Sequence, residues 1–212
     1  MIDLEFDGPD SATEWVIIAH GAGAGKEHEF MTDIATRIGV GCRVVRFNFP
    51  YMEKRQEDGK KRPPDRAPKL LAHFEAVIDA IDSLRPKESR LWLAGKSMGG
   101  RMASHLTGHS SVSGVVCFGF PFHPPGKPEK YKGEHLATVT KPLLIVQGER
   151  DTFGRKEEVM GYSYSSSIDI EFVPDGDHSF KPRKASGYTE SDNRQFAVDC
   201  LLRFIERQGA KA

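Results

Sequence analysis

Arg90-Leu91-Trp92-Leu93-Ala94-Gly95-Lys96-Ser97-Met98-Gly99-Gly100-Arg101 is the stretch on which the reading of this chain turns. The run Arg90–Ala94 is short, apolar and bounded, as a buried strand is, and Met98–Thr107 continues with helical spacing. Between them lies G-x-S-x-G. The two glycines permit the sharp, strained turn that lifts a serine hydroxyl above a sheet, and the helix N-terminus that follows favours negative charge there. In a chain with 21 glycines the five-residue pattern is weak evidence by itself. Its place after a strand and before a helix makes Ser97 a candidate nucleophile.

The alternation continues outward from this point. Trp15–Ala19, Arg43–Phe49, Val112–Phe120, Pro142–Gln147 and Ile168–Val173 read as strands, with Ile2–Phe6 as a candidate edge strand. Glu27–Ile38, Pro68–Leu84, Arg155–Met160 and Asp192–Ile205 read as helices, Pro68–Leu84 most clearly through Leu70, Leu71, Phe74, Val77, Ile78, Ile81 and Leu84. Strand alternating with helix implies β-α-β crossovers, hence a mostly parallel sheet in an α/β domain with helices on both faces. Right-handed crossovers then bring the C-terminal ends of the strands, and their loops, to one edge. No repeat or linker divides residues 1–212, so one domain is expected.

A serine nucleophile needs a base, and the base an orienting acid. On a serine elbow of this kind the chain order is serine, acid, histidine. Asp151 follows the Pro142–Gln147 strand in Gly148-Glu149-Arg150-Asp151, and His178 follows the next strand in Asp175-Gly176-Asp177-His178. Both fall on the edge that carries Ser97. Asp175 and Asp177, so close to His178 in sequence, are expected to serve the turn backbone. Developing negative charge on a substrate oxygen needs backbone donors. The amide of Met98 is one candidate; the other comes from His20-Gly21-Ala22-Gly23-Ala24-Gly25, with Ala22 favoured and Gly23 as its substitute. Arg46, Asn48 and Tyr51 at the end of the second strand, and His123 after Phe120, are candidate substrate contacts. Arg101 is expected to anchor the elbow through an ion pair, and Lys96 to be a solvated lysine.

Other chemistries lack their residues. A dinucleotide-binding G-x-G-x-x-G needs glycine where Lys26 stands, and a phosphate-binding loop ending at Gly95-Lys96-Ser97 needs glycine where Arg90 stands. No set of residues has metal-ligand spacing, and no cofactor is expected. Thirty basic residues balance thirty acidic ones, which gives no hint of nucleic acid or an anionic membrane as partner. Cys42, Cys117 and Cys200 are odd in number and unpaired in spacing, so free thiols in a reducing compartment are expected. Met1–Asp10 lacks the basic and apolar regions of a signal peptide, and no apolar run reaches membrane-spanning length. The expectation is a cytoplasmic protein of undetermined oligomeric state.

Three loops expected on the catalytic edge, Met52–Arg66, Pro121–His135 and Ser179–Glu190, carry an excess of lysine and arginine over acidic residues. Such asymmetry would attract an anionic substrate.

The motifs GKSMGGRMAS, HGAGAG, VRFNFPY, RPPDR, FPFHPPGKPE, QGERD and DGDHSF together resemble the small α/β-hydrolase-like proteins related to dienelactone hydrolases. That group includes the testis-expressed protein thirty and the hydrolase-like domain of a non-specific-lethal chromatin complex subunit. The resemblance runs from about Trp15 to the last helix. It implies an α/β-hydrolase fold without a separate cap domain and a triad of Ser97, Asp151 and His178. Dienelactone hydrolases proper use cysteine where this chain has Ser97, so lactone specificity does not carry over. The resulting expectation is a serine hydrolase of the carboxylesterase or thioesterase type, acting on a small ester-like substrate through an acyl-enzyme. The alternatives are a small peptidase or amidase, and a binding or scaffold module that keeps the fold without turnover.

Overall fold

Strand β2 (Glu14–Ala19) is buried from Trp15 onward, and its alternate side chains enter different layers. Trp15, Ile17 and Ala19 face one apolar core while Val16 and Ile18 face the other, because successive side chains of a strand point to opposite faces. The same division holds in β3 (Arg43–Phe47), β4 (Arg90–Lys96), β5 (Val112–Phe118) and β6 (Leu143–Gly148). A sheet with two apolar faces has to be covered twice. Helices α1 (Glu29–Ile38) and α6 (Glu190–Gly209) cover one face, and α2 (Pro50–Asp58), α3 (Ala67–Asp82), α4 (Met98–His105) and α5 (Lys156–Val159) lie with the other.

With β1 (Leu4–Asp7) and β7 (Ile168–Val173), the computed structural model, which describes residues 2–210, contains one seven-stranded sheet in the order β1-β3-β2-β4-β5-β6-β7. All neighbours are parallel except β1 and β3. From β2 the chain crosses to β3 on one side and then returns to β4 on the other. The order therefore reverses at β2, and the crevice beyond the carboxyl ends of β2 and β4 is where an open α/β sheet places its ligand. The loop after β2 and Ser97 after β4 both open into that crevice.

The element boundaries depart from the sequence reading in one informative place. The strand expected over Arg43–Phe49 ends at Phe47, and Pro50 is the first residue of α2. Proline suits the first helical turn, where its missing N–H is not needed. The helix leaves little trace in the sequence because only Tyr51 and Met52 are buried along it. The edge strand near the N-terminus is present, shifted to Leu4–Asp7. Among the described residues no helix is long and apolar enough to cross a membrane. The three cysteines are free and buried.

Candidate active site

Ser97 joins β4 to α4 with φ 52° and ψ −115°, a conformation that strains any residue with a side chain. The turn closes through the Ser97 amide, which donates to the Phe118 carbonyl of β5 (2.9 Å), and the Ser97 carbonyl, which accepts from the Arg101 amide (2.9 Å). Its glycines are steric necessities. A Cβ on Gly95 would collide with the backbone of Gly99 and Gly100, and one on Gly99 with the carbonyls of Ala19 and His20. The helix can approach the sheet this closely only because both side chains are absent.

The Ser97 hydroxyl lies 2.9 Å from His178 Nε2, and His178 Nδ1 lies 2.8 Å from Asp151 Oδ2. Asp151 is fully buried. Its other lone pairs accept from the Phe153 amide at Oδ1 (2.8 Å) and from Gln147 Nε2 at Oδ2 (2.9 Å). A buried carboxylate with this set of donors has little alternative to donation from His178 Nδ1. That leaves Nε2 as the lone-pair nitrogen facing the serine. Burial holds the His178 imidazole below its ordinary value of 6.5, opposed by the hydrogen bond to Asp151 and assisted by the Lys96 charge. The imidazole is thus a proton acceptor at neutral pH. Asp175 and Asp177 bind elsewhere: Asp175 accepts from the Arg183 amide and guanidinium, Asp177 from the Ser179 and Lys181 amides.

Three features of this arrangement have no counterpart in the sequence reading. Gln147 is a fully buried amide whose Nε2 also donates to the Phe120 and Gly154 carbonyls, stapling the acid loop to the end of β5. The Phe153 ring lies 4.2 Å from the His178 ring, tilted by 30°, and walls off one face of the imidazole. His20, fully buried, accepts from the Phe49 amide at Nε2 (3.0 Å), so its proton is on Nδ1 and is donated to the Gly21 carbonyl (2.7 Å). Burial drives His20 down to about 4. Its signal is the motif HGAGAG, which places a histidine where β2 meets the loop.

Ser97 and His178 open into a cleft of about 460 Å³, bordered by Ala22, Gly23, Phe30, Met31 and Phe153. Ala22 and Gly23 are therefore brought to Ser97, and Met98 follows it directly as the first residue of α4. Tyr51 stands behind the loop and donates to the Ala22 carbonyl (3.0 Å). It is buried in the core and holds the loop rather than lining the cleft.

Three other candidate contacts are placed away from the cleft. Arg46 is buried in an ion cluster with Glu5 (2.9 Å) and Asp7 (2.8 Å), because β1 lays its acidic residues alongside β3. Asn48 accepts from the Lys26 amide (2.8 Å) and donates to Gln56 (2.9 Å), which uses up its polar atoms on backbone and helix. His123 faces a separate hollow formed with Thr152, Arg155 and Glu158, because the loop after Phe120 turns behind the acid loop. Arg101 makes no ion pair within 4 Å among the described residues, and its Nε has no partner. Lys96 is buried rather than solvated. None of the basic residues of the three long loops is among those lining the cleft. Arg62 and Arg183 instead pair with Asp58 and Asp175, and Arg55 binds the Gly23 carbonyl at the rim.

Residues 12–206 match the α/β hydrolase domain family. The chain belongs to that family. An α/β serine hydrolase homologue from Coxiella burnetii superimposes on this α/β hydrolase domain with a TM-score of 0.71 at 20% identity, over 93% of this chain and 90% of that one. An α/β serine hydrolase without a lid from Xanthomonas campestris gives 0.72 at 20% identity, covering 96% and 89%. Est1E of Butyrivibrio proteoclasticus, with ferulic acid bound, gives 0.69 at 16% identity, covering 97% and 96%. At these identities the likeness is one of fold. It extends over nearly the whole length of each chain.

Proposed function

We propose that this α/β hydrolase is a serine esterase that cleaves a small ester or thioester through an acyl-enzyme. The observation that carries the reading is the hydrogen-bonded relay from Ser97 Oγ through His178 to Asp151, mounted on a strained elbow. Ser97 Oγ attacks the carbonyl carbon while its proton passes to His178 Nε2. The resulting imidazolium is stabilised by Asp151 and returns the proton to the leaving oxygen or sulfur. Water, deprotonated by the same imidazole, then releases the acyl group and regenerates the serine.

Support for the oxyanion donors comes from the planar trans peptide, in which a carbonyl and the following N–H point in opposite directions. The Gly21 and Ala22 carbonyls are drawn toward His20 and Tyr51, beneath the loop. The amides of Ala22 and Gly23 consequently point away from His20 and Tyr51, and on this reading Ala22 and the Met98 amide of the α4 N-terminus receive the developing charge. Phe30, Met31 and Phe153 give the cleft an apolar lining that suits an uncharged acyl chain. On this reading the chain sits among the dienelactone-hydrolase-related members of the family, and three buried thiols without a disulfide agree with a cytoplasmic setting.

The test is labelling with a fluorophosphonate, which reacts only with an activated serine, followed by a panel of neutral esters and thioesters of increasing acyl length. Labelling of wild type and its loss in Ser97→Ala are expected. An unlabelled wild-type protein would refute the proposal.

A further inference from the structure

Lys96 immediately precedes the nucleophile, where a solvated side chain would be unremarkable. Its ammonium is buried instead. It donates to the main-chain carbonyl of His178 and lies 5.4 Å from the ring centroid of Phe30 and 5.6 Å from that of Phe180. Gly119, at the end of β5 with φ 65°, borders the same space. A Cβ there would stand 2.8 Å from Lys96 Nζ, 3.1 Å from the His178 carbonyl oxygen and 3.4 Å from His178 Nδ1. Ammonium, histidine backbone and imidazole therefore crowd the space in front of Gly119, where a methyl group would enter only if the Lys96 ammonium gave way.

Burying an ammonium without a hydrogen-bonded carboxylate is costly. The compensation here is one carbonyl, two aromatic faces and the fields of Asp151 and Asp177. Burial lowers Lys96 to about 8, against the pull of Asp151 and then Asp177. It is still charged throughout the range in which a histidine titrates. The groups facing His178 are Asp151 at Nδ1, Ser97 at Nε2, Phe153 on its ring face, Asp177 within its own turn and Lys96 from β4. Helix α1 adds His28 and Phe30 at the cleft, and α6 adds Arg194, whose guanidinium lies 5.6 Å from the Phe30 ring. The two carboxylates favour the imidazolium, whereas Lys96 opposes it by charge.

We propose that Lys96 is a positioning residue of the relay: its ammonium ties down the His178 main chain, is the counter-charge of the buried Asp151, and keeps the imidazole in its proton-accepting form. The inference deepens the esterase reading and rests on it. It also explains the charge balance of the site. At rest, the Asp151 carboxylate is matched by Lys96. During attack, His178 gains a proton as the oxyanion forms, and the net charge of the site does not change.

The experiment is an NMR titration of the His178 imidazole in wild type, Lys96→Met, Lys96→Gln and Lys96→Arg, with the rate of fluorophosphonate labelling recorded against pH. Wild-type His178 is expected below 6.5. The Met and Gln variants should raise it by about half to one unit, and the acid limb of labelling should move with it. The Arg variant, which keeps the charge, should stay near wild type. A folded Met or Gln variant with an unmoved titration overturns the inference. Should both variants fail to fold, wild type decides: a second step in the His178 ¹⁵N shifts near pH 8, where Lys96 loses its charge, supports the inference, and its absence overturns it. The titration needs no turnover. An unlabelled wild type with a Lys96-sensitive imidazole would sink the esterase reading alone, and a labelled wild type with a Lys96-insensitive imidazole would sink only this one.

Discussion

Asp151→Asn is the sharpest perturbation of the relay, and the structure says which way the new amide would face. One end of the substituted side chain has to become NH₂. Were it the end at the Phe153 amide, two donors would oppose each other, and the Phe153 N–H, whose side-chain acceptor is Asp151, would be left buried at a cost of about 1–3 kcal/mol. At the other end the opposing donor is Gln147 Nε2, which keeps two acceptors in the Phe120 and Gly154 carbonyls. The amide oxygen therefore takes the Phe153 side and the NH₂ faces His178. A donor at that position forces the imidazole to accept at Nδ1 and carry its proton on Nε2, where it can no longer take one from Ser97. The expected loss in labelling rate and in kcat is about 10³–10⁴-fold, the cost of the wrong tautomer in a serine triad. Circular dichroism and thermal melting should show a folded protein destabilised by no more than about 3 kcal/mol. ¹⁵N chemical shifts of His178 would report the tautomer directly. Asp175→Asn and Asp177→Asn, neither of which removes a hydrogen bond to the imidazole, should each change the rate less than tenfold, although Asp177→Asn also removes a charge that favours the imidazolium. A loss below tenfold in Asp151→Asn, or an Nδ1–H tautomer in that variant, would contradict this account of the relay.

Ser97→Ala should remain folded and lose labelling entirely, with any confirmed esterase activity down by several orders of magnitude; activity equal to wild type would exclude the acyl-enzyme mechanism. Tyr51→Phe removes the donor that holds the Ala22 carbonyl and should lower kcat by about tenfold or less, the net worth of a single hydrogen bond, with KM little changed; an unaltered kcat would detach Tyr51 from the oxyanion loop. His20 and His135 are both lowered to about 4 by burial, so between pH 6.5 and 4 the unfolded chain binds more protons than the folded one. Stability is therefore full above 6.5 and falls as pH drops through that window. Urea midpoints should decline from pH 7 to pH 5, and less steeply in His20→Gln; parallel declines would show that His20 is not neutral in the fold.

The proximity of Ser97, Asp151 and His178, on which the proposed relay rests, is legible in the sequence because each residue is announced locally. Ser97 has its own steric signature in Gly95 and Gly99, and Asp151 and His178 each follow a strand whose apolar run is unmistakable. Parallel crossovers then guarantee that residues after different strands meet on one edge, so chain order alone nearly decides the constellation. Helix α2 is not legible, since a helix resting on a single buried turn leaves almost no periodicity.

The direction of a side chain at a strand end is another matter, because it depends on what the distant chain lays beside it. Arg46 reads as a substrate contact, but β1 pairs antiparallel with β3 and sets Glu5 opposite it. Lys96 reads as solvated, yet Phe30 from α1 and Phe180 from beyond β7 close over its ammonium. Gln147 reads as a polar residue ending a strand, and only the folding back of Phe120, Asp151 and Gly154 around it gives its amide three acceptors. Local pattern was enough for the sheet, the elbow and the order of the relay, since these follow from periodicity and from the handedness of crossovers. Which buried charge faces which partner was left to contacts among segments far apart in the chain, because the electrostatics of a buried group are set by neighbours that no local pattern encodes.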